Sequence, residues 1–393
     1  MNKLVVILGA GFSKPAGLPL AREIQERFDR NQKRKLLQFG SSEWQWIDGK
    51  DESTINNGHL GFDWLPYSYI LNESINKYKE IHGEFDTYEN FYQWTQDILF
   101  NKLIKEEIYN KSESELVKDY PHLLDYVPEY EGDISPYLYR FQNDSDLSNL
   151  RDIVNYLIAD LLGFSRLQFQ NSISEYKKFI DYIKEFRQVE IFSLNHDLLL
   201  ENLFEYFALN YSRGFSKDKS EIRYQDDNTP IAVFKDSFST AIRLHKLHGS
   251  LDFFRFEHFA QGNKIYLEST GNYNYFTTRN YREKHYAIRV NPETGETIQD
   301  LNFDIVPKFI TGTNKTKVIK NDLMYRELFS RFEQRMSEAS KILISGYSFS
   351  DKHINQELQK RSDLEIINQN PSVNYPFEAK QISNIQTLNN LTV

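Results

Sequence analysis

Two stretches of the chain carry polar side chains that could act on the sugar of a nucleotide. Asn195 and Asp197 directly follow the strand-like run 189–193, and His248 stands between a second run, 244–247, and Gly249. A carboxamide can orient water or a ribose hydroxyl, and a carboxylate can accept hydroxyl groups or stabilise positive charge. An imidazole has a near-neutral pKa and suits a general base. Together these residue types predict a site that opens a glycosidic bond.

The same side chains also have structural interpretations. Asn195 or Asp197 could cap the helix predicted over 198–207, and a histidine after a strand is often a buried core residue. His196 points the opposite way from its two neighbours and is predicted to be structural. His245 and His248 are three residues apart, which turns their side chains apart on a strand, and no nearby carboxylate pattern completes a ligand set. No metal site is therefore expected.

A glycine turn near the start of the chain is the predicted phosphate site. It follows the apolar run 4–8 and consists of Gly9, Ala10, Gly11, Phe12 and Ser13. The glycines would let the backbone approach a pyrophosphate, and Ser13 could donate a hydrogen bond. Helical spacing over 20–28 predicts that this turn opens a helix whose N-terminal amides face the phosphate. The alternative is a tight turn with a purely structural role.

Two common nucleotide-using classes are disfavoured by the residues around this turn. Lys14 stands where the dehydrogenase pattern Gly-x-Gly-x-x-Gly needs its last glycine, and no acidic ribose ligand is evident after a second strand. The chain also has no Gly-x-x-x-x-Gly-Lys-Ser/Thr phosphate loop. Hydride transfer and ATP hydrolysis by this chain are thus not expected.

Composition limits the environment and the partners. The 393 residues are 40% apolar, which is enough for a large core, and there is no cysteine, which excludes disulfides, thiolate zinc sites and a cysteine nucleophile. The formal charge is -9 without a long basic block, so direct nucleic-acid binding is not expected. The first apolar run is too short for a secretory signal or a membrane span. We expect a cytoplasmic protein that does not bind membranes.

The remaining periodicity predicts an α/β fold. Strand character appears at 4–8, 189–193, 231–234, 244–247, 341–345 and 364–367, and helices are predicted between several of these runs, including one capped by Asp322. The alternation predicts a doubly wound, Rossmann-like parallel sheet, in which ligands sit at the carboxyl ends of the strands. All the polar segments named above follow strand ends.

The predicted organisation is a single domain with an insertion. The core comprises 1–38 and 189–370, and helical periodicity predicts a mostly helical insertion over about 40–188, with loops at 41–64 and 119–146. Residues 252–300 are predicted to form hairpins or a flap over a site. The segment 371–393 is interpreted as a tail, with an edge element and a docking arm as alternatives.

Five segments in a fixed order resemble the signatures of the sirtuin family. That family has a Gly-Ala-Gly-x-Ser nucleotide loop, a Thr-x-Asn-x-Asp segment, a His-Gly segment, a late Gly-x-Ser turn and a final Asn after a strand. They are matched by 9–13, by 193–197 with serine for threonine, by His248 and Gly249, by the turn 346–348, and by Asn368. The resemblance covers the start and the second half of the chain.

The resemblance implies NAD as substrate and assigns residues to it. Asn195, His248 and Asp197 are implied as catalytic, and the implied dinucleotide-binding set is Gly9, Ala10, Gly11, Ser13, Arg22, Gly346, Ser348 and Asn368. The family's Gly-Ile-Pro-Asp-Phe-Arg stretch is present as 17–22, which keeps Arg22 but has neither the acid nor the phenylalanine. Its four-cysteine zinc module is impossible here, so no zinc is expected.

Both departures are similar to those of bacterial sirtuin-like effectors of anti-phage defence, which hydrolyse NAD. The resemblance therefore implies an NAD hydrolase, with a protein deacylase, an ADP-ribosyl transferase or a silent sensor of NAD or ADP-ribose as alternatives. It also implies a homo-oligomer and a separately encoded motor ATPase of the HerA type as a partner. The aromatic-rich helical insertion is the candidate contact surface.

Overall fold

The structure is a computed structural model that forms two compact units. It describes residues 3–30, 36–39, 43–47, 65–85, 87–125, 145–260, 263–265, 274–279, 287–291, 293–300, 302–304, 306–312, 315–339, 341–361, 365–368, 375, 381–384, 388 and 391. Unit 1 comprises Met1–Leu20, Leu162–Ile310 and Lys315–Val393. Unit 2 comprises Ala21–Leu161 and Thr311–Asn314.

Strands and helices are numbered in chain order over the described residues. The strands are β1 (Lys3–Leu8), β2 (Leu36–Phe39), β3 (Glu43–Trp46), β4 (Gln188–Ser193), β5 (Tyr211–Ser212), β6 (Gly214–Ser216), β7 (Ile222–Tyr224), β8 (Ala232–Ser237), β9 (Ile242–Lys246), β10 (Phe253–Ala260), β11 (Asn263–Ile265), β12 (Tyr275–Thr277), β13 (Ala287–Val290), β14 (Thr297–Asp300), β15 (Asn302–Asp304), β16 (Lys341–Ser345), β17 (Glu365–Asn368) and β18 (Gln381–Asn384). The helices are α1 (Ala21–Asp29), α2 (Leu65–His82), α3 (Tyr88–Asp97), α4 (Lys102–Asp119), α5 (Ser145–Leu162), α6 (Arg166–Lys184), α7 (Leu199–Tyr206), α8 (Lys315–Asn321), α9 (Leu323–Glu338) and α10 (Lys352–Gln359).

A seven-stranded sheet in the order β18-β17-β16-β1-β4-β9-β5 forms the centre of unit 1, and all its pairings are parallel. Alternate residues of β1 face opposite sides, because successive side chains of a strand do so. Val5 and Ile7 pack in a core with α9 and α10, whereas Leu4 and Val6 pack in a second core with α6 and α7. The predicted α/β fold with helices on both faces of a parallel sheet is confirmed.

The strand order places a topological switch point at β1. The chain builds the sheet on one side of β1 with β4, β9 and β5, and later builds it on the other side with β16, β17 and β18. In open parallel sheets, ligands bind outside the carboxyl ends of the strands at such a point. The loops after β1, β4, β9 and β16 lie at this edge.

One sequence expectation about strands needs correction. The run 231–234 was expected in the parallel sheet, but β8 pairs antiparallel with β6 and β12 in a second, six-stranded sheet. Short alternating runs carry no information about their partner, so the sequence could not distinguish the two sheets. The described parts of 252–300 form antiparallel pairs, among them β10 with β11 and β13 with β14, as the expectation of hairpins predicted.

Strand β18 extends the parallel sheet at its edge. Over 381–384 the segment 371–393 is therefore the edge element that the sequence left as an alternative, and not a tail.

Unit 2 contains α1 to α4, nearly all of α5 and the hairpin β2–β3. Trp46 is buried and donates its indole hydrogen to the carbonyl of Leu157 at 3.2 Å, while its ring meets Phe28 edge-on at 5.3 Å. Strand β3 corrects the expectation of a loop over 41–64, because Trp44 and Trp46 face a core. The rest of that loop and 126–144 of the second predicted loop lie outside the described residues.

Several local predictions are confirmed. The Asp322 side chain accepts a hydrogen bond from the Tyr325 amide at 3.3 Å and caps α9. Strand β16 has the predicted bounds.

Among the described helices, none combines the length and apolar character that crossing a membrane requires. Helix α6, expected in the insertion, packs against the sheet of unit 1.

Candidate active site

The glycine turn after β1 is not followed directly by an α-helix. Residues Ala10–Phe12 and Lys14–Ala16 form two short 3-10 turns, and α1 begins only at Ala21. Pro15 lacks the amide hydrogen that a continuing helix needs, and Gly17 ends the second turn with a φ of +82°. The expectation that the turn opens the helix, and that helix amides face the phosphate, is therefore wrong.

The glycines of this turn are needed for close packing against the turn after β16. The Gly11 amide donates to the Gly346 carbonyl at 2.9 Å, and the Gly9 amide donates to Ser345 at 3.0 Å. A Cβ at Gly9 would lie 2.6 Å from the Gly346 oxygen, and one at Gly346 would overlap the backbone of Phe12. Gly346 also has a φ of +66°. The two turns thus form one interlocked backbone surface at the switch point.

Asn195 and Asp197 join this surface through Ser13. The Asn195 amide nitrogen donates to the Gly9 carbonyl at 2.9 Å and to Ser13 Oγ at 3.0 Å, and Ser13 Oγ donates to Asp197 Oδ2 at 2.8 Å. All three side chains are buried. The structure therefore brings together four of the predicted residues from two strand ends. No described residue donates to Asn195 Oδ1, which leaves this acceptor for a water or a hydroxyl group.

Asp197 also has a structural contact at the start of α7, although Leu198 and not Asp197 occupies the cap position of that helix. Its Oδ1 accepts a hydrogen bond from the Leu199 amide at 3.0 Å, so the carboxylate holds the first residue of α7 and Ser13 at the same time. Burial raises the pKa of Asp197, although the positive charge of Lys246 and the hydrogen bonds from Leu199 and Ser13 act in the opposite direction. Lys246 is itself buried and donates to the Asp197 carbonyl.

His248 lies at the end of β9, beside the loop that carries Asn195. The loops are linked, because the Leu247 amide donates to Ser193 and the Leu251 amide donates to His196, both at 3.0 Å. The His248 carbonyl accepts from the Ile310 amide at 2.6 Å, so the segment 308–310 fixes the turn from the other side. Burial, followed by the charge of Lys315, lowers the pKa of His248 well below its usual range. His248 is thus neutral at pH 7, as a general base must be.

The turn after β16 supplies residues that the sequence analysis did not assign. The His248 Nε2 atom lies 3.3 Å from the Nε2 atom of His353, in the first turn of α10. Asp351, the residue before α10, is paired with Lys315 at 2.9 Å. His248, Asp351 and His353 each place one ligand atom within 4.8 Å of the others, so they could hold a metal ion. The spacing Asp-x-His after a late glycine turn was the available signal.

Of the other histidines, His196 is a neighbour of His248, with 6.4 Å between the ring centres, and His245 is not in contact with it among the described contacts. His196 also packs its ring against Phe309, 4.6 Å between ring centres, and burial lowers its pKa to about 3. Its Nδ1 is buried and has no hydrogen-bond partner among the described residues. His245 pairs with Glu190 at 2.8 Å and stacks on Phe192. As predicted, His245 and His248 face different partners.

Four residues of the predicted dinucleotide-binding set are not joined to this network by a described contact. Ala10 and Ser348 are exposed, and Ser348 shares a hydrogen bond with Ser350 at 3.0 Å. Arg22 lies on α1 in unit 2, where its exposed side chain is 3.3 Å from Glu26. Asn368 ends β17, opposite Ile344 of β16. Their roles remain predictions.

Comparison with known proteins identifies the class to which this site belongs. Residues 189–375 match the family model described as a SIR2-like domain, a range that includes Asn195, Asp197, His248 and the turn after β16. This range of the chain is therefore sirtuin-like, and the predicted resemblance to the sirtuin family is confirmed over it. SIR2-like domains are in general NAD-dependent enzymes, which ties the site to NAD. The search of curated proteins gave no match.

Proposed function

We propose that the chain is an NAD hydrolase that releases nicotinamide and ADP-ribose. The carrying observation is the hydrogen-bonded group of Ser13, Asn195 and Asp197 at the switch point, with His248 on the neighbouring loop. This arrangement combines a backbone turn for a pyrophosphate, an acceptor for water and a neutral imidazole. A nucleotide whose glycosidic bond is to be opened needs these three groups.

In the proposed reaction the bond between ribose C1′ and nicotinamide breaks. Its electron pair goes to the ring nitrogen, so nicotinamide leaves neutral and the ribose takes on oxocarbenium character. A water held by Asn195 Oδ1 forms the new C1′–O bond, and its proton goes to His248, which is uncharged at neutral pH. In this proposal the phosphates bind at the turns after β1 and β16, which hydrogen bonds hold together.

Asp197 has a different proposed role from the direct ribose contact expected from sequence. Both of its carboxylate oxygens accept hydrogen bonds, from Ser13 and from the Leu199 amide. Asp197 is thus a positioning residue that orients Ser13, and through it the Asn195 carboxamide. Orientation matters because a misplaced water loses much of its reactivity, by as much as about 100-fold for a 1 Å displacement.

Hydrolysis is favoured over deacylation by what the sequence lacks. The chain has no cysteine for the four-cysteine zinc module, which frames the acyl-lysine cleft in deacylating sirtuins. It also has Leu20 and Ala21 where those enzymes carry an acid and a phenylalanine. Water then remains as the acceptor for the ribosyl group.

The purified chain incubated with NAD alone tests this proposal. We expect equal amounts of nicotinamide and ADP-ribose by liquid chromatography, and loss of both products in Asn195→Ala and His248→Ala variants that keep the wild-type melting temperature. His82→Gln, an exposed histidine of α2, is the matched control. Turnover retained in both site variants contradicts the assignment. Products that appear only with an acetyl-lysine peptide or an acceptor protein favour a deacylase or transferase, and binding without turnover favours a sensor.

Regulation by assembly completes the proposed function. Unrestrained NAD hydrolysis would deplete the cytoplasm of its own host, so we propose a regulated anti-phage effector that acts as a homo-oligomer with a HerA-type motor ATPase. Native mass spectrometry of the chain, alone and co-expressed with its genomic neighbours, measures the assembly. Phage challenge of cells that carry the wild type or Asn195→Ala tests the role in defence. A monomer that hydrolyses NAD at full rate without a partner contradicts this regulation.

A further inference from the structure

We propose that His353 is a positioning residue that holds the His248 ring so that His248 Nδ1 acts as the base. This proposal rests on the proposed hydrolysis. The two imidazoles meet through their Nε2 atoms at 3.3 Å, inside the fold. No described residue hydrogen-bonds to His248 Nδ1. The contact therefore occupies one nitrogen of His248 and leaves the other open.

The position of His353 is fixed by the turn after β16. The Tyr347 hydroxyl donates to Asn355 Oδ1 at 3.0 Å and accepts from the Asp351 amide at 3.2 Å, while Asn355 Nδ2 donates to the Phe349 carbonyl at 2.7 Å. These bonds tie the turn to the first part of α10. His353 also packs against Phe329 of α9, with 5.6 Å between the ring centres. Its ring thus contacts both Phe329 and His248.

A contact between two neutral imidazoles contains one shared proton, so one ring donates and the other accepts. If His353 donates, His248 carries its own proton on Nδ1 and has no free lone pair for a base. If His248 donates from Nε2, its Nδ1 lone pair is free, and the imidazolium formed after proton transfer keeps its bond to His353. The proton leaves to solvent when the products depart. Only the second arrangement supports proton abstraction from water.

Charged groups from three elements surround His248. Asp351, before α10, raises the pKa of His248, whereas Lys315 of α8 lowers it, and the neighbouring His353 and His196 also lower it. Asp351 and Lys315 are themselves an ion pair at 2.9 Å. Their opposite effects make it possible to move the pKa of His248 in either direction without touching its ring.

A transition-metal site is the competing interpretation of the same cluster. The Lys315 ammonium group against Asp351 disfavours a second cation at this carboxylate. The two Nε2 atoms of His248 and His353, at 3.3 Å, are also within hydrogen-bond reach of each other, so the positioning role accounts for their contact without a metal ion.

Substitution of His353 separates positioning from packing. His353→Phe keeps a ring against Phe329 but removes the hydrogen bond, and we expect kcat to fall by about 100-fold with little change in KM for NAD. His353→Gln restores an acceptor, and we expect it to recover part of the rate. Equal kcat in the wild type and both variants overturns the proposal.

The acid limb of the pH–kcat profile gives a second test. Asp351→Asn removes a negative charge, so the limb should move to lower pH, while Lys315→Met should move it to higher pH. A purely structural role predicts no such opposite shifts, and their absence counts against the proposal. Rate lost with EDTA and restored by Zn²⁺ in the wild type overturns it in favour of a metal site.

A spectroscopic measurement separates this proposal from the proposed function. In ¹⁵N-histidine-labelled protein, with His248 identified by its loss in His248→Gln, we expect Nε2 to be protonated and Nδ1 unprotonated in the wild type, and a mixed tautomer in His353→Phe. Protonation at Nδ1 in the wild type overturns the positioning role. The expected tautomer in a chain without NAD hydrolysis means that the proposed function has failed while the geometry stands.

Discussion

Ser13 and Asp197 are 184 residues apart in the chain and are joined by a buried hydrogen bond of 2.8 Å. This bond connects the turn after β1 to the loop after β4, and Asn195 donates to the same Ser13 oxygen. The turn proposed to bind phosphate and the carboxamide proposed to orient water are thus parts of a single hydrogen-bonded unit. A change at Ser13 should therefore reach the reaction as well as the binding of the nucleotide.

We expect Ser13→Ala to reduce NAD hydrolysis through both kcat and KM. The change leaves Asp197 Oδ2 and Asn195 Nδ2 each with one hydrogen bond fewer, at a loss of about 1 to 3 kcal/mol for a buried polar group. Steady-state kinetics and a thermal melt measure the two effects. Ser337→Ala is the matched control, because Ser337 is an exposed serine of α9 whose hydroxyl donates to the Gln334 carbonyl of the same helix. Wild-type kinetics in Ser13→Ala would mean that the turn works independently of the loop after β4.

Gly346→Ala should strongly destabilise unit 1. The added methyl group would overlap the backbone of Phe12, and the φ of +66° disfavours any L side chain. We expect a loss of more than about 2 kcal/mol in the free energy of unfolding, measured by urea denaturation.

Gly295→Ala isolates the effect of the backbone angle. Gly295 has a φ of +76°, but no atom of the described residues lies within 4 Å of the site of its Cβ. The free energy of unfolding of Gly295→Ala should fall by only about 1 kcal/mol, the typical cost of a left-handed conformation. Similar losses in the two variants would show that the close approach of the two turns contributes little.

Stability should fall as the pH decreases from 7.5 to 5. His196 has a folded-state pKa of about 3, below the ordinary value of 6.5, so between these values the unfolded chain binds a proton that the folded chain does not. The stability from this group is present above pH 6.5 and is lost as the pH falls, by up to about 1.4 kcal/mol per unit. Urea midpoints across this range measure the slope.

His196→Phe provides the control for this slope. The substitution keeps an aromatic ring against Phe309 and removes one titrating group, so the pH dependence should become shallower. His245 and His248, whose pKa values are also lowered by burial, maintain part of the slope. A variant as steep as the wild type would contradict the assignment of His196 as a buried neutral imidazole.

Asp252→Asn should destabilise unit 1 without acting on the candidate site directly. Asp252 accepts two hydrogen bonds from Arg213, at 2.7 and 2.8 Å, and both side chains are nearly inaccessible to water. Loss of one partner from a buried pair typically costs about 3 to 5 kcal/mol. The exposed Asp227→Asn is the control, and chemical denaturation is the measurement. Equal denaturation midpoints for Asp252→Asn and Asp227→Asn would count against a stabilising ion pair between Asp252 and Arg213.

The parts of the fold that depend on local pattern could be predicted from sequence. The apolar runs of β1 and β16, the Asp322 cap and the glycine turn are encoded within a few residues, and the parallel sheet follows from their alternation. The partners of β8 could not be predicted, because a short strand satisfies its hydrogen bonds equally well in either sheet. The 3-10 turns around Pro15 were not predicted, because the helical spacing of the residues in α1 indicated a helix directly after the glycine turn.

The candidate site also has residues that the local sequence pattern predicts and a contact that it does not predict. Asn195, Asp197 and His248 could be chosen by residue type and by their position after strands. The contact between His248 and His353 could not, because it depends on how the turn after β16 folds over the end of β9. The hydrogen bonds of Tyr347 and Asn355 fix the conformation of that turn. The spacing of these two residues in the sequence does not indicate that His248 lies beside the turn.

The central position of β1 also has a consequence for biosynthesis. Its two neighbours are β4 and β16, and the second of these is complete only when Ser345 has been made. During translation the glycine turn therefore leaves the ribosome long before the backbone against which it must close. Late long-range pairing of this kind slows folding. A nascent chain that is still short of β16 lacks the backbone against which the glycine turn closes, so the proposed hydrolysis requires that β16 has already been made.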